Sequence, residues 1–501
     1  MFKKILIANR GEIALRVIRT CREMGIRTVA VYSEIDRDSL PVRFADEAYL
    51  LGPAPARESY LNGDKIVAIA KKCGAQAIHP GYGFLSENSA FATLCRKNKI
   101  VFIGPTPETL QASGDKLAAR ELAKKVKVAA VPGIYSPLKD LTEARREAKK
   151  IGYPIILKAR AGGGGKGMRR VDKESEMESA FRLATSEATQ SFGDGSLYLE
   201  KYILGPHHVE LQILGDRHGN IICLGERECS VQRRHQKIIE ESPSPFITEA
   251  TRRKMIKAAI QLAKAAKYAG AGTVEFLVDS KQNFYFLEIN ARLQVEHPVT
   301  EMVTGLDLVR AQIEIAAGKR LKTIIPPPLM GGDKGEGDHA LECRIYAEDP
   351  NHDFLPSPGK ITQVRSPEGP GVRVDSAIFQ GCEISVYYDP MIAKLITWGK
   401  SREEAVRRMQ RALREYQIVG VKTNIPFHEA VLAHPDFIKG KYDTGLVERN
   451  LSQLKRKINQ GLEEIAKIAV EIHRKSSLLH GERSEGARSR WKTISLQEGL
   501  R

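Results

Sequence analysis

The stretch from Glu288 to Met302 reads EINARLQVEHPVTEM and decides how the rest of the chain is interpreted. It follows Phe284 to Leu287, an apolar run typical of a buried strand. Its first ten residues contain six charged or polar side chains that stand out: Glu288, Asn290, Arg292, Gln294, Glu296 and His297. Charged groups at the mouth of a buried strand are costly unless other groups pair with them. Either the strand ends in a solvated turn, or this stretch lines a site for charged ligands.

The run before this stretch favours a site. Thr273 to Asp279 predicts a second strand, and a polar turn centred on Lys281-Gln282 pairs it antiparallel with the first. In that register Glu275 faces Glu288, and like charges directly opposite destabilise a sheet. A divalent cation removes this cost, oxygen ligands suit Mg²⁺, and Asn290 shares the face of Glu288. We therefore predict a metal site that serves a nucleotide.

Composition predicts a globular protein of two or three domains. The chain has 501 residues, of which 42% are hydrophobic and 28% charged, and it is too long for one compact core. No apolar run is long enough to cross a bilayer, and the N-terminal apolar segment is too short for a signal peptide. We therefore expect a cytoplasmic protein with no membrane association. The seven cysteines contain no CxxC pair, which favours free thiols over disulfides or a zinc site.

The net charge of +17 raises the question of nucleic acid. Nucleic-acid binding is expected to show a clustered basic patch with interleaved aromatic residues. Here the charge is spread along the chain and aromatic residues make up only 6%. We do not expect nucleic acid as a ligand, because an anionic substrate such as ATP or bicarbonate, together with an acidic partner, explains the excess of positive charge.

The N-terminal part predicts an open parallel sheet. Lys4 to Ala8 and Thr28 to Tyr32 are apolar strands, and Gly11 to Met24 between them has apolar residues at helical spacing. The turn from Ala8 to Glu12 has one glycine where the dinucleotide fingerprint has three, which argues against a dinucleotide site. The loop from His79 to Asn88, HPGYGFLSEN, is either a ligand loop at the end of a strand or only a tight turn.

A glycine-rich segment follows a predicted strand that contains a lysine. In the strand Pro154 to Ala159, Lys158 either snorkels or pairs with an anion. Gly162 to Met168, GGGGKGM, then predicts a mobile lid over phosphates, because glycines let backbone amides approach a phosphate closely. Lys166 is followed by Gly167, so the segment is not a Walker A loop.

Three polar segments are further candidates for the same site. One predicted strand ends in Glu200 and Lys201, which suit recognition of an adenine amino group. His207 and His208 are adjacent and so point to opposite faces, one toward a ribose hydroxyl and one toward solvent. The basic segment from Gln232 to Lys237 is either a solvated loop or a source of cations for the acidic stretch.

The C-terminal part predicts an α+β region after a linker. Pro326 to Asp338 is rich in proline and glycine and marks the boundary. The elements expected beyond it are strands at His339–Ala347, Gly371–Asp375 and Met391–Trp398 and a helix at Arg402–Tyr416. The tail, residues 451–501, carries eleven Lys/Arg against six Asp/Glu. Its first part predicts an amphipathic helix that docks onto a partner or folds back, and from Ser476 we expect disorder.

These pieces, taken in order, resemble the biotin carboxylase family of ATP-grasp enzymes over roughly Met1 to Leu446. The motifs are IANRGEIALR, HPGYGFLSEN, GDK, LKARAGGGGKGM, EKYI, HHVE, ERECSVQRRHQK, EINARLQVEHPVTEM, ECRIYAEDP and YYDPMIAKL. The fold expected is α/β, with a mobile glycine-rich lid in the central domain. The expected parts are an N-terminal open parallel-sheet domain (1–113), a central ATP-grasp domain (114–325, lid near 132–203), a linker (326–338), a C-terminal α+β domain (339–450) and a basic tail (451–501).

The resemblance implies ATP-dependent carboxylation of biotin by bicarbonate through carboxyphosphate. The implied cofactors are ATP, Mg²⁺ or Mn²⁺, and biotin attached to a lysine of a separate carrier protein. The implied partners are a second copy of the chain in a homodimer and a biotin carrier or carboxyltransferase subunit. The chain has no Met-Lys-Met carrier motif, so we expect biotin on another polypeptide. The final acceptor is pyruvate or acetyl-CoA, and the tail, as a docking helix, favours pyruvate.

The resemblance also implies roles for individual residues. Expected nucleotide and cofactor contacts are Lys116, Lys158, Gly163, Gly164, Gly165, Glu200, Lys201, His208, Gln232 and His235. Expected bicarbonate contacts are Lys237, Arg292, Gln294 and the backbone of Val295. Expected metal ligands are Glu275, Glu288 and Asn290. Glu296 is the implied general base, and Arg344 is implied to stabilise the biotin enolate.

Three departures limit the resemblance: Arg160, a missing proline in Lys127 to Val131, and the long glycine-rich linker Leu329 to Asp338 with the tail beyond about residue 450. Arg160 stands beside the glycine loop where the family usually has a small residue, which predicts a changed lid position or closure rate. A competing hypothesis keeps the ATP-grasp chemistry but passes the activated carboxylate to an amine. Activity with ammonia or an amino acid in place of biotin distinguishes the two.

Overall fold

A computed structural model describes residues 1–134, 136–160, 167–323, 338–458 and 471, and the side chains of Lys116, Leu117 and Phe192 are also outside the description. The predicted lid glycines Gly163, Gly164 and Gly165 and the linker 326–337 therefore lie outside the described residues. The chain divides into two compact units, Met1–Asn450 and Leu451–Arg501.

The first unit begins with an open parallel sheet, as predicted. Its strands are β1 (Lys4–Ile7), β2 (Arg27–Ser33), β3 (Glu47–Gly52), β4 (Ala77–His79) and β5 (Val101–Phe102). Its helices are α1 (Gly11–Glu23), α2 (Leu40–Phe44), α3 (Gly63–Lys72), α4 (Ser89–Lys97) and α5 (Pro107–Gly114). The strands run parallel in the order β3-β2-β1-β4-β5. Ile5, Leu6 and Ile7 in the central strand are all buried, as expected for a parallel strand covered on both faces.

A smaller antiparallel sheet follows. Its elements are α6 (Lys116–Lys125), β6 (Gly133–Ile134), α7 (Leu141–Ile151), β7 (Ile155–Ala159), β8 (Met168–Val171), α8 (Met177–Phe192) and β9 (Leu197–Lys201). The strand order is β6-β9-β7-β8. Lys158 on β7 pairs with Met168 on β8, so strands flank the glycine segment on both sides, as the sequence predicts.

The remaining elements build one large sheet and the C-terminal region. Those before the linker are β10 (His207–Gly215), β11 (Ile221–Arg233), β12 (Gln236–Ser242), α9 (Glu249–Ala265), β13 (Gly270–Val278), β14 (Phe284–Asn290), α10 (His297–Thr304) and α11 (Leu308–Ala316). Those after it begin with β15 (His339–Tyr346), β16 (Glu348–Asp349), β17 (Leu355–Pro356), β18 (Gly359–Lys360), β19 (Gln363–Arg365), β20 (Val372–Ser376), β21 (Glu383–Ile384) and β22 (Met391–Gly399). The last are α12 (Arg402–Glu415), β23 (Gln417–Val419), α13 (Ile425–Leu432) and α14 (Pro435–Ile438).

The large sheet crosses the predicted linker. Its order is β14-β13-β10-β11-β12-β15-β22-β20, and β12 pairs antiparallel with β15. C-terminal strands therefore continue the sheet of the central region. This pairing brings Arg344 of β15 next to Glu240 of β12 and within reach of Glu296, in the segment after β14.

In the second unit, residues 451–458 are helical, as the sequence predicts for the start of the tail, and the rest of the apolar stripe lies outside the described residues. Among the described helices, none is long and apolar enough to span a membrane. The seven cysteines are all free thiols, which confirms the expectation from their spacing.

Candidate active site

The predicted pairing of the two acidic strands is confirmed. In the β13–β14 ladder the partners are Thr273 with Asn290, Val274 with Ile289 and Glu275 with Glu288. A register shift just beyond Glu275 then sets Phe276 opposite Phe286. The pairing therefore departs from the predicted register by one residue on the turn side, where a bulge bends the strand. The acidic half of the hairpin keeps the predicted register.

Glu275, Glu288 and Asn290 lie together at the open end of this hairpin. The Asn290 amide nitrogen lies 2.8 Å from Glu275 Oε1 and 3.3 Å from Glu288 Oε1. Burial and the charge of Glu275 raise the pKa of Glu288. Burial also acts to raise the pKa of Glu275, but Lys237 and His208 hold it well below its usual range. In this pair the ionised form of Glu275 is stabilised by its neighbours, whereas the ionised form of Glu288 is destabilised.

This donor set fits a hard divalent cation. Two carboxylates supply oxygen ligands of the kind that Mg²⁺ prefers. The Asn290 amide oxygen accepts from Arg292 Nη2 at 3.2 Å, so this amide would add a third oxygen ligand only after turning over. A cation beside Glu288 would remove the electrostatic cost that burial and Glu275 impose on its charge. The residues present therefore fit the metal that the sequence predicts.

Lys237 and Arg344 hold Glu296 from two sides. Lys237 Nζ lies 2.8 Å from Glu296 Oε1, and Arg344 Nη2 lies 2.8 Å from Glu296 Oε2. Glu296 is 0% exposed, and burial alone would raise the pKa of its carboxyl. Lys237, Arg344 and the buried Arg227 outweigh burial and hold this pKa well below the usual range. Glu296 is therefore an anion in a water-poor setting.

Lys237 also joins Glu296 to the predicted metal ligands. Its ammonium group lies 2.9 Å from Glu275 and 2.7 Å from Glu210. Burial lowers the pKa of Lys237, but these three carboxylates raise it well above its usual value. The basic segment is therefore no solvated loop: it forms the β11–β12 hairpin, and Gln232 pairs with Lys237 across it.

Arg292 and Gln294 connect this cluster to the N-terminal sheet. Arg292 Nε donates to Glu87 of the HPGYGFLSEN loop at 2.8 Å, and its Nη1 donates to Gln294 Oε1 at 2.6 Å. Gln294 in turn donates to Thr273 on β13 at 2.8 Å. The loop is therefore part of the site and not only a tight turn. Val295 takes part through its backbone, whose carbonyl accepts a hydrogen bond from Lys394 at 2.8 Å.

A cleft of about 330 Å³ opens beside the metal ligands. Eight of the predicted contacts line it: Lys158, Glu200, Lys201, His208, Gln232, His235, Glu275 and Glu288. The wall also includes apolar side chains, among them Ile156, Met168, Leu277 and Leu287. Charged groups at one end and apolar side chains along the wall suit a nucleotide whose phosphates face the metal ligands.

The cations of the cleft are already paired in part. Lys158 Nζ lies 2.5 Å from Glu200 Oε2, and Arg120 binds the other oxygen of Glu200, so Lys158 pairs with an anion and does not snorkel. Lys201 Nζ donates to the carbonyls of Gly152 and Tyr153. Lys116 begins α6, but its side chain lies outside the described part of the chain.

His208 bridges the cleft and the metal ligands. The Gln232 side-chain nitrogen lies 2.8 Å from His208 Nδ1, and His208 Nε2 lies 2.7 Å from Glu275 Oε2. His235, at the tip of the β11–β12 hairpin, takes a left-handed backbone with φ of 65° and is exposed beside the cleft.

The expectation that the other adjacent histidine faces solvent is wrong. His207 is buried, stacks on Phe246 with ring centroids 3.4 Å apart, and lies 3.2 Å from Glu228. The alternation of faces holds, but β10 is covered on both faces. His207 therefore points into packed protein where the sequence alone suggested water.

The sequence analysis did not identify three charged residues of the site, Glu210, Arg227 and Glu240. Glu210 is fully buried and binds both Lys237 and Arg227, while Glu240 accepts from Arg344 Nε at 2.6 Å. The sequence feature that could have indicated Glu210 is its alternation with apolar residues: Glu210 and Gln212 occupy every second position between Val209 and Ile213. Polar residues at every second position of a buried strand indicate an internal polar network.

Comparison with known protein families gives three matches along the chain. Residues 1–110 match "Biotin carboxylase, N-terminal domain", and residues 342–449 match "Biotin carboxylase C-terminal domain". Residues 115–324 match "Carbamoyl-phosphate synthase L chain, ATP binding domain". Together these matches cover most of the first unit.

Similar proteins differ in the carboxylase that they serve. A pyruvate carboxylase subunit of Methanothermobacter thermautotrophicus is 51% identical over 473 residues, which cover 94% of each chain. The mitochondrial alpha subunit of methylcrotonoyl-CoA carboxylase of Dictyostelium discoideum is 51% identical over 445 residues, 89% of this chain but 63% of that one. The chain thus spans less than two thirds of the length of some relatives.

A solved structure of similar fold carries ligands. It is the biotin carboxylase domain dimer of 2-oxoglutarate carboxylase from Hydrogenobacter thermophilus, in complex with MgADP, ADP and bicarbonate. The TM-score is 0.85 at 49% identity, over 91% of this chain and 99% of that one. The likeness extends over nearly the whole first unit.

Proposed function

We propose that this chain, which belongs to the biotin carboxylase family, carboxylates the biotin of a carrier protein with bicarbonate and ATP. The observation that carries the proposal is the linked set of Glu275, Lys237, Glu296 and Arg344 beside the nucleotide cleft. It joins an oxygen-ligand metal site, an anion site and a buried base in one network. An ATP-dependent carboxylation needs all three.

Bicarbonate would bind where cations meet the buried base. Lys237 and Arg292, with Gln294 and the Val295 backbone, are the proposed contacts. Glu296 removes the bicarbonate proton, so that a bicarbonate oxygen attacks the γ-phosphorus and ADP leaves. The incoming anion competes with Glu296 for Lys237 and so raises the pKa of Glu296 toward that of a working base.

The carboxyphosphate formed breaks its C–O bond to give CO₂ and phosphate. Phosphate then takes the ureido proton of biotin, and the nitrogen bonds to CO₂. Arg344 stabilises the enolate charge that develops on the ureido oxygen, since a fixed guanidinium needs no reorganisation at that moment. Glu275, Glu288 and Asn290 would hold Mg²⁺ or Mn²⁺, which when bound neutralises phosphate charge.

We further propose that the chain works as a homodimer with a separate biotin carrier or carboxyltransferase subunit, and that pyruvate is the final acceptor. The match to the Methanothermobacter pyruvate carboxylase subunit covers 94% of the chain, more than the 450 residues of the first unit, and so includes part of the tail. Acetyl-CoA is the alternative acceptor. Purifying the chain with its biotinylated partner and identifying which compound becomes carboxylated separates the two.

The proposed activity is tested with the full chain, free biotin, MgATP and bicarbonate. ADP release that depends on biotin is the expected result. Folded protein that releases no ADP under these conditions contradicts the proposal. Release that depends on ammonia or an amino acid in place of biotin supports an ATP-grasp ligase acting on an amine.

A further inference from the structure

Lys394 on β22 is a lysine that solvent does not reach. Its side chain is 0% exposed, and it is among the largest fully buried side chains of the described residues. Taking an ammonium group out of water costs several kcal/mol unless close partners compensate. The contacts of the Lys394 ammonium group therefore indicate whether this buried lysine stabilises the fold or positions another group.

The shortest of these contacts is to the loop that carries the base. Lys394 Nζ donates to the Val295 carbonyl at 2.8 Å. Its carboxylate neighbours are farther away, with Glu12 Oε1 at 3.5 Å and Asp375 Oδ2 at 3.8 Å. The ammonium group thus joins the start of α1, the charged stretch after β14 and the C-terminal strands.

The ionic contacts stabilise the fold poorly. Within the described residues neither carboxyl oxygen of Glu12 has a hydrogen-bond partner, and burial raises the pKa of Glu12 to about 7. Asp375 is already held by Arg373 at 2.7 Å. Replacing a buried ion pair of this kind by apolar groups is often neutral or stabilising. Stability is therefore a weak explanation for Lys394.

A stronger explanation for the burial of Lys394 is that it orients Glu296, the proposed base. The Val295 carbonyl and the Glu296 N–H belong to one planar peptide, so a hydrogen bond to the carbonyl fixes the plane from which the Glu296 side chain departs. Arg344 faces Lys394 across the β15–β22 ladder and binds the Glu296 carboxylate. Lys394 thus holds the backbone of Glu296 while Arg344 holds its side chain.

We propose that Lys394 is a positioning residue of the carboxylation reaction, which fixes the Val295–Glu296 peptide so that the base meets bicarbonate in the reactive geometry. This inference rests on the proposed function. A misplacement of about 1 Å at a reacting group can cost about 10²-fold in rate. The hydrogen bond from Lys394 prevents such a misplacement.

The test is Lys394→Met, which keeps the length of the side chain and removes the donor. We expect kcat of biotin-dependent ADP release to fall by about 10²-fold and KM for bicarbonate to rise. KM for ATP should stay within about twofold, because the nucleotide cleft does not include Lys394. Lys4→Met is the matched control: Lys4 also binds one carbonyl, Cys73 O at 2.6 Å, and one carboxylate, Glu47 at 2.7 Å.

A double variant, Glu12→Gln with Lys394→Met, removes the buried charges together. It should keep the Tm of the wild type or exceed it while showing the same loss of kcat. Wild-type kcat in folded Lys394→Met or in the double variant overturns the inference. So does a loss of activity that only follows the loss of folded protein, or that falls equally on KM for ATP. If the wild type itself shows no biotin-dependent ADP release, the proposed function has failed and not the role of Lys394 within it.

Discussion

Glu296 carries a charge where burial alone would neutralise it. The cations Lys237, Arg344 and Arg227 outweigh burial and hold the pKa of its carboxyl well below the usual range. A carboxylate so strongly held is a weak base at rest. We infer that binding of bicarbonate activates it, because the substrate anion draws on the same cations. On this proposal, Glu296 becomes a stronger base only when bicarbonate is bound.

Removing this charge should abolish turnover without affecting the nucleotide. We expect Glu296→Gln to lower kcat of biotin-dependent ADP release by about 10²- to 10⁴-fold, the usual contribution of a general base. Isothermal titration with ADP should give an unchanged Kd. Glu47→Gln is the control, since Glu47 also pairs with two cations, Lys4 and Arg27. Near-normal kcat in Glu296→Gln would remove Glu296 from the role of base.

A different result is expected for Glu288, because its ionised form is destabilised by burial and by Glu275 unless a cation is bound. We expect Glu288→Gln to raise the Mg²⁺ concentration for half-maximal turnover by about 10- to 100-fold. The raised folded-state pKa means that ionised Glu288 destabilises the metal-free fold above its unfolded pKa. The metal-free variant at pH 8 should therefore match or exceed the wild type in Tm. An unchanged Mg²⁺ dependence, or a clear drop in metal-free Tm, contradicts the metal assignment.

At the scale of elements, β12 is the strand that joins the parts of the site. It carries Lys237 toward the base and Glu241 toward the C-terminal region. Glu241 binds His339 on β15 at 2.6 Å and Arg402 at the start of α12 at 2.7 Å. Burial acts to raise the pKa of Glu241, but Arg402 and His339 lower it to about 2. This ion cluster keeps β15, and with it Arg344, in register beside β12.

The low pKa of Glu241 predicts how stability depends on pH. Its contribution is present above the unfolded pKa of about 4.5 and is lost as pH falls through the folded pKa of about 2. The shift corresponds to about 3 kcal/mol. Calorimetry from pH 3 to pH 7 should show Glu241→Gln with a much lower Tm than the wild type at pH 7. The difference should shrink below pH 4.5, and a constant difference would contradict this prediction.

Apolar periodicity predicted the first strand-helix-strand unit of the N-terminal sheet, and a polar turn between two apolar runs predicted the acidic hairpin. Neither pattern predicted β10 as the neighbour of β13 on the side away from β14. Strand β10 inserts between β13 and β11 through pairings distant in sequence, and Glu210 and Gln212 interrupt its apolar pattern. For the same reason His207 was expected in solvent. The buried partners of Lys237 and Arg344 follow from that sheet and not from local sequence.

At the scale of the whole molecule, the site exists only where three regions meet. Glu87 comes from the N-terminal sheet, Glu296 from the central region and Arg344 from the C-terminal strands. The resemblance to the biotin carboxylase family identified members of all three groups before their contacts were known. The β12–β15 ladder continues the large sheet across the linker, and the Glu296–Arg344 ion pair adds a side-chain link between the central and C-terminal regions. We therefore propose that activation of bicarbonate and stabilisation of biotin take place in one connected network.

We propose that one carboxyl group moves from bicarbonate to biotin for each ATP cleaved. The most direct measurement incubates the full chain with [¹⁴C]bicarbonate, MgATP and biotin and counts labelled carboxybiotin against ADP. We predict one label on biotin per ADP, and a fall of about 10²- to 10⁴-fold in the rate of both products in Glu296→Gln. ADP without labelled biotin, or label on an amine instead, would contradict the account.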